Sequence, residues 1–243
     1  MRALRRMIGW LVGIALAAAM LLLAWALMRG HPQDLPWTPL DLGRPIGLFT
    51  GRKLAGLTND FPTCRALLTR AGVRYSVLPA RHEGATCGYD DAVRFAGGGA
   101  RRIAFAPAAV GVSCPVAAAL SMWEWDVVQP AAQAIFGSRV VGIDHVGSYN
   151  CRRIYGRDSG TWSEHATADA IDIAGFRLAD GTRVTVAADW HGGDPRSRFL
   201  HRVRDGACRL FSTVLSPDYN AAHHDHLHLD QAERGVLGGR ACR

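Results

Sequence analysis

No two of the six cysteines stand as C-x-x-C; they lie at 64, 87, 114, 151, 208 and 242. That spacing argues against a thiolate zinc cluster and a thioredoxin-like redox motif. No serine sits in a G-x-S-x-G elbow, which sets aside Ser113, Ser148 and Ser163 as nucleophiles. H-E-x-x-H is missing, so no pair of metal ligands is built on one helix face. No basic run interleaved with aromatics points to a nucleic-acid partner. After residue 50 there is no internal repeat and no low-complexity tract.

The net charge of +7 says little about partners, because residues 1–29 carry four arginines and no acid, leaving 24 basic against 21 acidic residues. From Met7 to Met28 there is no charge at all, with Trp10 and Trp25 near the ends of the run. A helix needs about 20 apolar residues to cross the hydrocarbon core. Arg2, Arg5 and Arg6 precede the run and only Arg29 follows closely, so the positive-inside rule predicts a cytoplasmic N-terminus and an exported globular part. Ala24-Trp25-Ala26 resembles a signal-peptidase site, but the run is longer than a signal h-region, which favours an uncleaved anchor. The expected topology is a single membrane crossing with the globular domain outside. All six cysteines fall in the exported part, where disulfides persist. A preference for near neighbours gives Cys64–Cys87, Cys114–Cys151 and Cys208–Cys242.

The expected organisation is an anchor over residues 1–29, a Pro-rich linker or strap over 30–50 (Pro32, Pro36, Pro39 and Pro45), and one domain over 51–243. Helices are expected at Phe61–Ala71, stopped by Gly72, and from Cys114 to Phe136, with Pro115 in the first turn and a kink at Pro130. A third is expected at Pro195–Arg204. Strand candidates are Tyr75–Pro79, Val140–Val146, Ala168–Ile173, Arg183–Ala187 and Asp225–Leu229. Helices first and strands later predict an α+β fold, a small antiparallel sheet flanked by helices and stapled by disulfides.

Two segments carry the chemistry. Four of the ten histidines fall between His223 and His228, and His226 and His228 would project from one face of a strand. In Ala170-Ile171-Asp172-Ile173-Ala174, alternation buries the isoleucines and leaves Asp172 among small side chains, where a metal can approach. An unpaired buried carboxylate is costly, so Asp172 needs a partner, an arginine or a cation. Catalytic zinc sites keep three protein ligands and one open position, and His165, Asp172 and His228 would supply that set for Zn2+. Arg152 follows Cys151; if that cysteine is bonded, the guanidinium is held beside the site, where it could clamp a carboxylate or an oxyanion. His82, His145, His191 and His201 are isolated, and Trp123, Trp125 and Trp190 fit core packing better than a glycan groove.

The segments GSYNCR (147–152), SEHATADAID (163–172) and PDYNAAHHDHLHLD (217–230) together resemble bacterial extensin-like C-terminal domain proteins. More distantly they resemble the LAS zinc metallopeptidases, the group of lysostaphin-type endopeptidases, D-alanyl-D-alanine carboxypeptidases and the hedgehog domain. The resemblance implies a small antiparallel sheet with zinc on His165, Asp172 and His228, and His226 as the general base. No E-x-W-H motif supplies the glutamate of the carboxypeptidase members, which leaves His223, Asp225 and Glu164 as other candidates for the base. The implied activity is cleavage of amide bonds in peptidoglycan peptide cross-links, by an endopeptidase or carboxypeptidase, and the implied location is a bacterial inner membrane, crossed once, with the domain in the periplasm. The competing expectation is a non-catalytic, zinc-stabilised module that binds the cell wall, which would need the three ligands but not His226.

Overall fold

In the computed structural model, which describes residues 2–235 and 239–243 (for Ala24 and Leu27 the backbone alone), the charge-free run lies within one long helix, α1 (Arg2–Gly30). It is long and apolar enough to cross a membrane, and among the described residues none of its apolar stretch is buried. With three disulfides behind it, this helix suggests an exported protein. The Pro-rich segment is a strap rather than a free linker. Leu40 and Leu42 insert into the core, and the Lys53 ammonium ties the strap down by donating to Thr38 Oγ1 at 2.9 Å.

Helix α2 (Thr50–Ala55) follows, then α3 (Phe61–Arg70), whose first turn is capped by Asp60 accepting from the Thr63 amide. Gly72, at φ 73°, turns the chain out of α3 in a conformation that a Cβ disfavours. Strands β1 (Val73–Val77), β2 (Arg81–Glu83), β3 (Cys87–Tyr89), β4 (Ala92–Gly99), β5 (Ala104–Ala106) and β6 (Val112–Ser113) come next. Strand β1 therefore begins and ends two residues earlier than the proline at 79 suggests, because Val73 rather than Leu78 packs inward.

The expected central helix divides in three: α4 (Cys114–Trp123), a π-helical stretch (Glu124–Val128) and α5 (Gln129–Phe136). Pro130 has no N–H to give to the preceding turn, and the wider π turn absorbs that loss without ending the helix. Gln129 fastens the junction, donating to the Val140 carbonyl and accepting from its amide. Every residue of α4 is buried, so this helix is the core about which the sheets are arranged.

The second half supplies β7 (Val140–Gly147), β8 (Ala170–Leu178), β9 (Arg183–Thr185), α6 (Val186–Asp189), α7 (Pro195–Ala207), β10 (Thr213–Leu215), β11 (Leu227–Asp230) and β12 (Ala241–Cys242). The fold is α+β, and its main sheet runs β12-β10-β11-β8-β7-β5, with β9 beside β8. Its centre is antiparallel as expected, but both rims are parallel, β5 on β7 and β12 on β10. Helices α4 and α5 make the crossover from β5 to β7, and such a crossover is what allows a parallel pair. A three-stranded sheet (β1-β4-β6) and the β2–β3 hairpin complete the architecture.

Three sequence expectations are corrected. The strand expected over Arg183–Ala187 stops at Thr185, whose amide donates to Asp189 Oδ2 and starts α6. The strand expected over Asp225–Leu229 starts at Leu227, because Ala221–His223 form a 3-10 turn and the chain enters the sheet only after it. The disulfides are Cys64–Cys114, Cys87–Cys151 and Cys208–Cys242, so only the last of the near-neighbour pairs occurs. Loop-closure entropy grows slowly with loop length, so proximity in sequence is a weak selector. Packing decides instead: Cys64 faces α4 from the buried side of α3, and Cys87 on the β2–β3 hairpin lies against the loop after β7.

Candidate metal centre

Strand register builds the centre. In the pairing of β11 with β8, His228 stands opposite Asp172, and on the other flank of β8 Asp172 stands opposite Gly147. Asp172 is thus in the middle of the sheet, with Ile171 and Ile173 turned into the core as alternation predicts. His165 arrives from a 3-10 turn (Glu164–Thr167) capped by Ser163, and the left-handed Ala168 (φ 60°) swings the chain from that turn into β8. Ligand atoms of His165, Asp172 and His228 all lie within 4.8 Å of one another.

The contacts are close. His165 Nε2 is 3.2 Å from Asp172 Oδ2 and 3.2 Å from His228 Nδ1, which is itself 2.9 Å from Asp172 Oδ1. No arginine pairs with Asp172 among the described residues; its neighbours are His165, His226 and His228. His226 Nε2 lies 3.6 Å from Asp172 Oδ1, too far for a hydrogen bond.

The outward ring nitrogens define the tautomers. His165 Nδ1 donates to the Ser148 carbonyl, and His228 Nε2 donates to Asp230 Oδ2 at 3.0 Å. His226 Nδ1 donates to Asp225 Oδ1 at 2.8 Å. His223 Nδ1 donates to Asn220 Oδ1 at 2.8 Å, and the Ala222 amide donates to that same oxygen, which fixes the side-chain amide as an acceptor there. Four imidazoles therefore each commit one nitrogen to an acceptor outside the centre, leaving the other to face inward or outward as an electron-pair donor. Two such nitrogens and a carboxylate meeting at one point require a cation between them, either a proton on His228 Nδ1 or a metal. Two imidazoles and a carboxylate form a donor set that suits zinc.

Charge follows the same logic. Burial would raise the Asp172 pKa, but hydrogen bonds from His165 and His228 hold it well below the usual carboxylate range. Burial would lower that of His228, yet its bonds to Asp172 and Asp230 carry it up to about 9. His223 is pushed down to about 4 by burial and by the neighbouring His226 and His228. The Glu164 carboxyl is pushed up to about 7 by burial, then by Asp230 and Asp169.

The rim is equally specific. Cys151 is bonded to Cys87, and the Arg152 guanidinium beside it makes no hydrogen bond or ion pair among the described residues. Its charge reaches His223. Tyr155 holds a left-handed backbone (φ 58°) and accepts from Asn220 Nδ2 at 2.9 Å, so Asn220 joins an exposed phenol to His223. Among the other residues named from the sequence, His224 turns back to the Ala221 carbonyl at the surface. Trp123 and Trp190 are core residues, as expected. Sequence reasoning missed Asp230, Asn220, Tyr155 and the Ser148 carbonyl. Asp230 alone left a sign, since it follows His228 by two positions and so shares its face of β11.

No solved structure and no curated protein matches the chain. The family model of the extensin-like protein C-terminus matches residues 62–243, a stretch that holds the whole centre and its rim, and the chain belongs to that family.

Proposed function

We propose that this is an exported zinc-dependent hydrolase that cleaves amide bonds in peptidoglycan peptide cross-links. The observation that carries the reading is the convergence of His165 Nε2, His228 Nδ1 and Asp172 on one point, with both outward ring nitrogens already committed. That donor set supports kinship with the LAS metallopeptidases. Bound there, Zn2+ would supply a Lewis acid for the scissile carbonyl and acidify water at neutral pH.

The chain's own residues supply the rest. His226 is the general base: its Nδ1–H is anchored by Asp225, so Nε2 is free to take a proton and return it to the leaving amine. Arg152, without an internal anion, clamps a substrate carboxylate or the developing oxyanion. Helix α1 anchors the domain to the inner membrane with a single crossing, so the centre works in the periplasm, where its substrate is.

The test uses the full chain in detergent micelles, with metal content measured and sacculi supplied as substrate. One zinc per chain and released muropeptides are expected, and His165→Ala or Asp172→Ala should abolish both. A ligand variant that keeps full activity would overturn the reading. Zinc without any released muropeptide would instead support a cell-wall binding module.

A further inference from the structure

Away from the metal centre, the two sheets leave a gap. Strand β4 is paired with β1 along one side as far as Gly99, but β6 takes its other side only at Ala92 and Val93. Strand β5 pairs with β7 and, among the described residues, has no strand on its outer edge. Between these two free edges lies a cavity of about 420 Å³, lined by Phe95 to Gly98 from β4, by Ile103 to Phe105, and by Val110. That volume is within the range of ligand pockets. Unpaired edges are the usual place for a peptide to add a strand, and proteins normally cover them.

The lining carries a buried polar group with one donor left unmet. The Arg101 side chain is 5% exposed and packs against the rings of Phe95 and Phe105, with its guanidinium carbon 3.8 Å and 5.0 Å from their centroids. Its Nη2 lies 2.8 Å from Glu124 Oε2, but the buried Nε has no hydrogen-bond acceptor. A buried donor left unmet in this way is costly, and an acceptor placed in the cavity would relieve it. Glu124 already offsets the charge of Arg101, so a second anion in the cavity would be uncompensated. The acceptor that fits is neutral, as a peptide carbonyl is. The walls agree with that choice: Ala96, Gly97, Ala104 and Ala108 leave room for backbone and for small apolar side chains.

We propose that this cavity is a docking slot for an extended peptide with small apolar side chains. Main-chain bonds along the free edges of β4 and β5 hold it, and one of its carbonyls accepts from Arg101. The inference does not depend on the metal centre being filled or active.

The experiment is hydrogen exchange read by mass spectrometry on the full chain in micelles, with the capped peptide Ac-Ala-Ala-Ala-NH2 and its N-methylated analogue. Saturating peptide should slow exchange about tenfold over residues 94–98 and 104–106, as an added strand does, and the analogue should not. Gly97→Val fills the slot from one wall; a Cβ at Gly97 meets nothing within 4 Å, so the fold tolerates it. Ala108→Trp fills it from the other wall, at an exposed position. Both variants should lose the protection with unchanged melting. No protection at millimolar peptide, or equal protection in both variants, would overturn the proposal. So would protection that appears without peptide as protein concentration rises, since a second copy would then own the edge.

Discussion

His228 donates through Nε2 to Asp230 Oδ2 at 3.0 Å while its other nitrogen faces Asp172 at 2.9 Å, so one imidazole links two buried carboxylates. The second oxygen of Asp230 accepts from the Ala232 amide, which locks the carboxylate in place. In Asp230→Asn the oxygen would stay with Ala232 and an NH2 group would face the His228 N–H, donor against donor. His228 would have to turn or change tautomer. Metal affinity should fall about 10- to 100-fold, as for outer partners of ligating histidines, while the fold persists. Competition with a zinc-binding dye reads the constant, and unchanged affinity would remove Asp230 from the centre.

His226 and His223 both present a free nitrogen near Asp172 and His228, with ring centroids 5.2 Å apart, but they differ in anchoring. His226 is held in place by a carboxylate; His223 leans on a neutral amide, and burial with the neighbouring imidazoles pushes it down to about 4, which makes it a poor proton acceptor. The His226→Ala chain should lose 10²–10⁴-fold in kcat with its zinc content intact, on the order of a general base's contribution. For His223→Ala the loss should be about tenfold at most. The reverse ranking, with zinc retained in both, would move the base to His223. Tyr155→Phe keeps the ring but removes the oxygen that accepts from Asn220, and it should track the His223 effect rather than that of His226.

The Cys87–Cys151 bond holds the loop that carries both Arg152 and the Ser148 carbonyl on which His165 is oriented. Cys208–Cys242 instead ties the end of α7 to the edge strand β12, neither of which carries a residue of the centre. Replacing either pair by serine should cost roughly 2–5 kcal/mol of stability. Only the first replacement should also weaken zinc binding and raise KM. Equal effects of the two on zinc affinity would mean that the loop needs no staple.

Much of the centre was legible because strand alternation is a strict rule. Asp172 between two isoleucines, and His228 between Leu227 and Leu229, could each face only one way, and pairing β8 with β11 then set them opposite. The start of β11 was not legible, since the histidine alternation runs on through Asp225 while a 3-10 turn precedes the strand. Disulfide partners were hidden for a different reason. Which cysteines meet depends on how α3 packs on α4 and where the β2–β3 hairpin lies, and neither leaves a local mark. The anchors of the ring nitrogens were hidden too, because a backbone carbonyl such as that of Ser148 has no residue type to read.

Asp91, just before β4, offers a stability test apart from the ligands. Burial, and next the nearby Asp169, push its carboxyl up to about 7 from the ordinary value of 3.8. An acid whose pKa is raised by folding binds its proton more tightly in the native state. The unfolded chain gives up that proton from about pH 4 upward, so wild-type stability declines between about pH 4 and 7 and is level in this respect above 7. Asp91→Asn has no proton to lose. Its melting temperature relative to wild type should therefore climb across that window and level off beyond it. The gain should be roughly 2 kcal/mol, well under the full value of the shift because the side chain is partly solvated. Calorimetry of both chains at about pH 4 and about pH 8 decides the matter. A difference that stays constant, or shrinks as pH rises, would mean that Asp91 ionises at least as freely in the folded protein as in the unfolded chain.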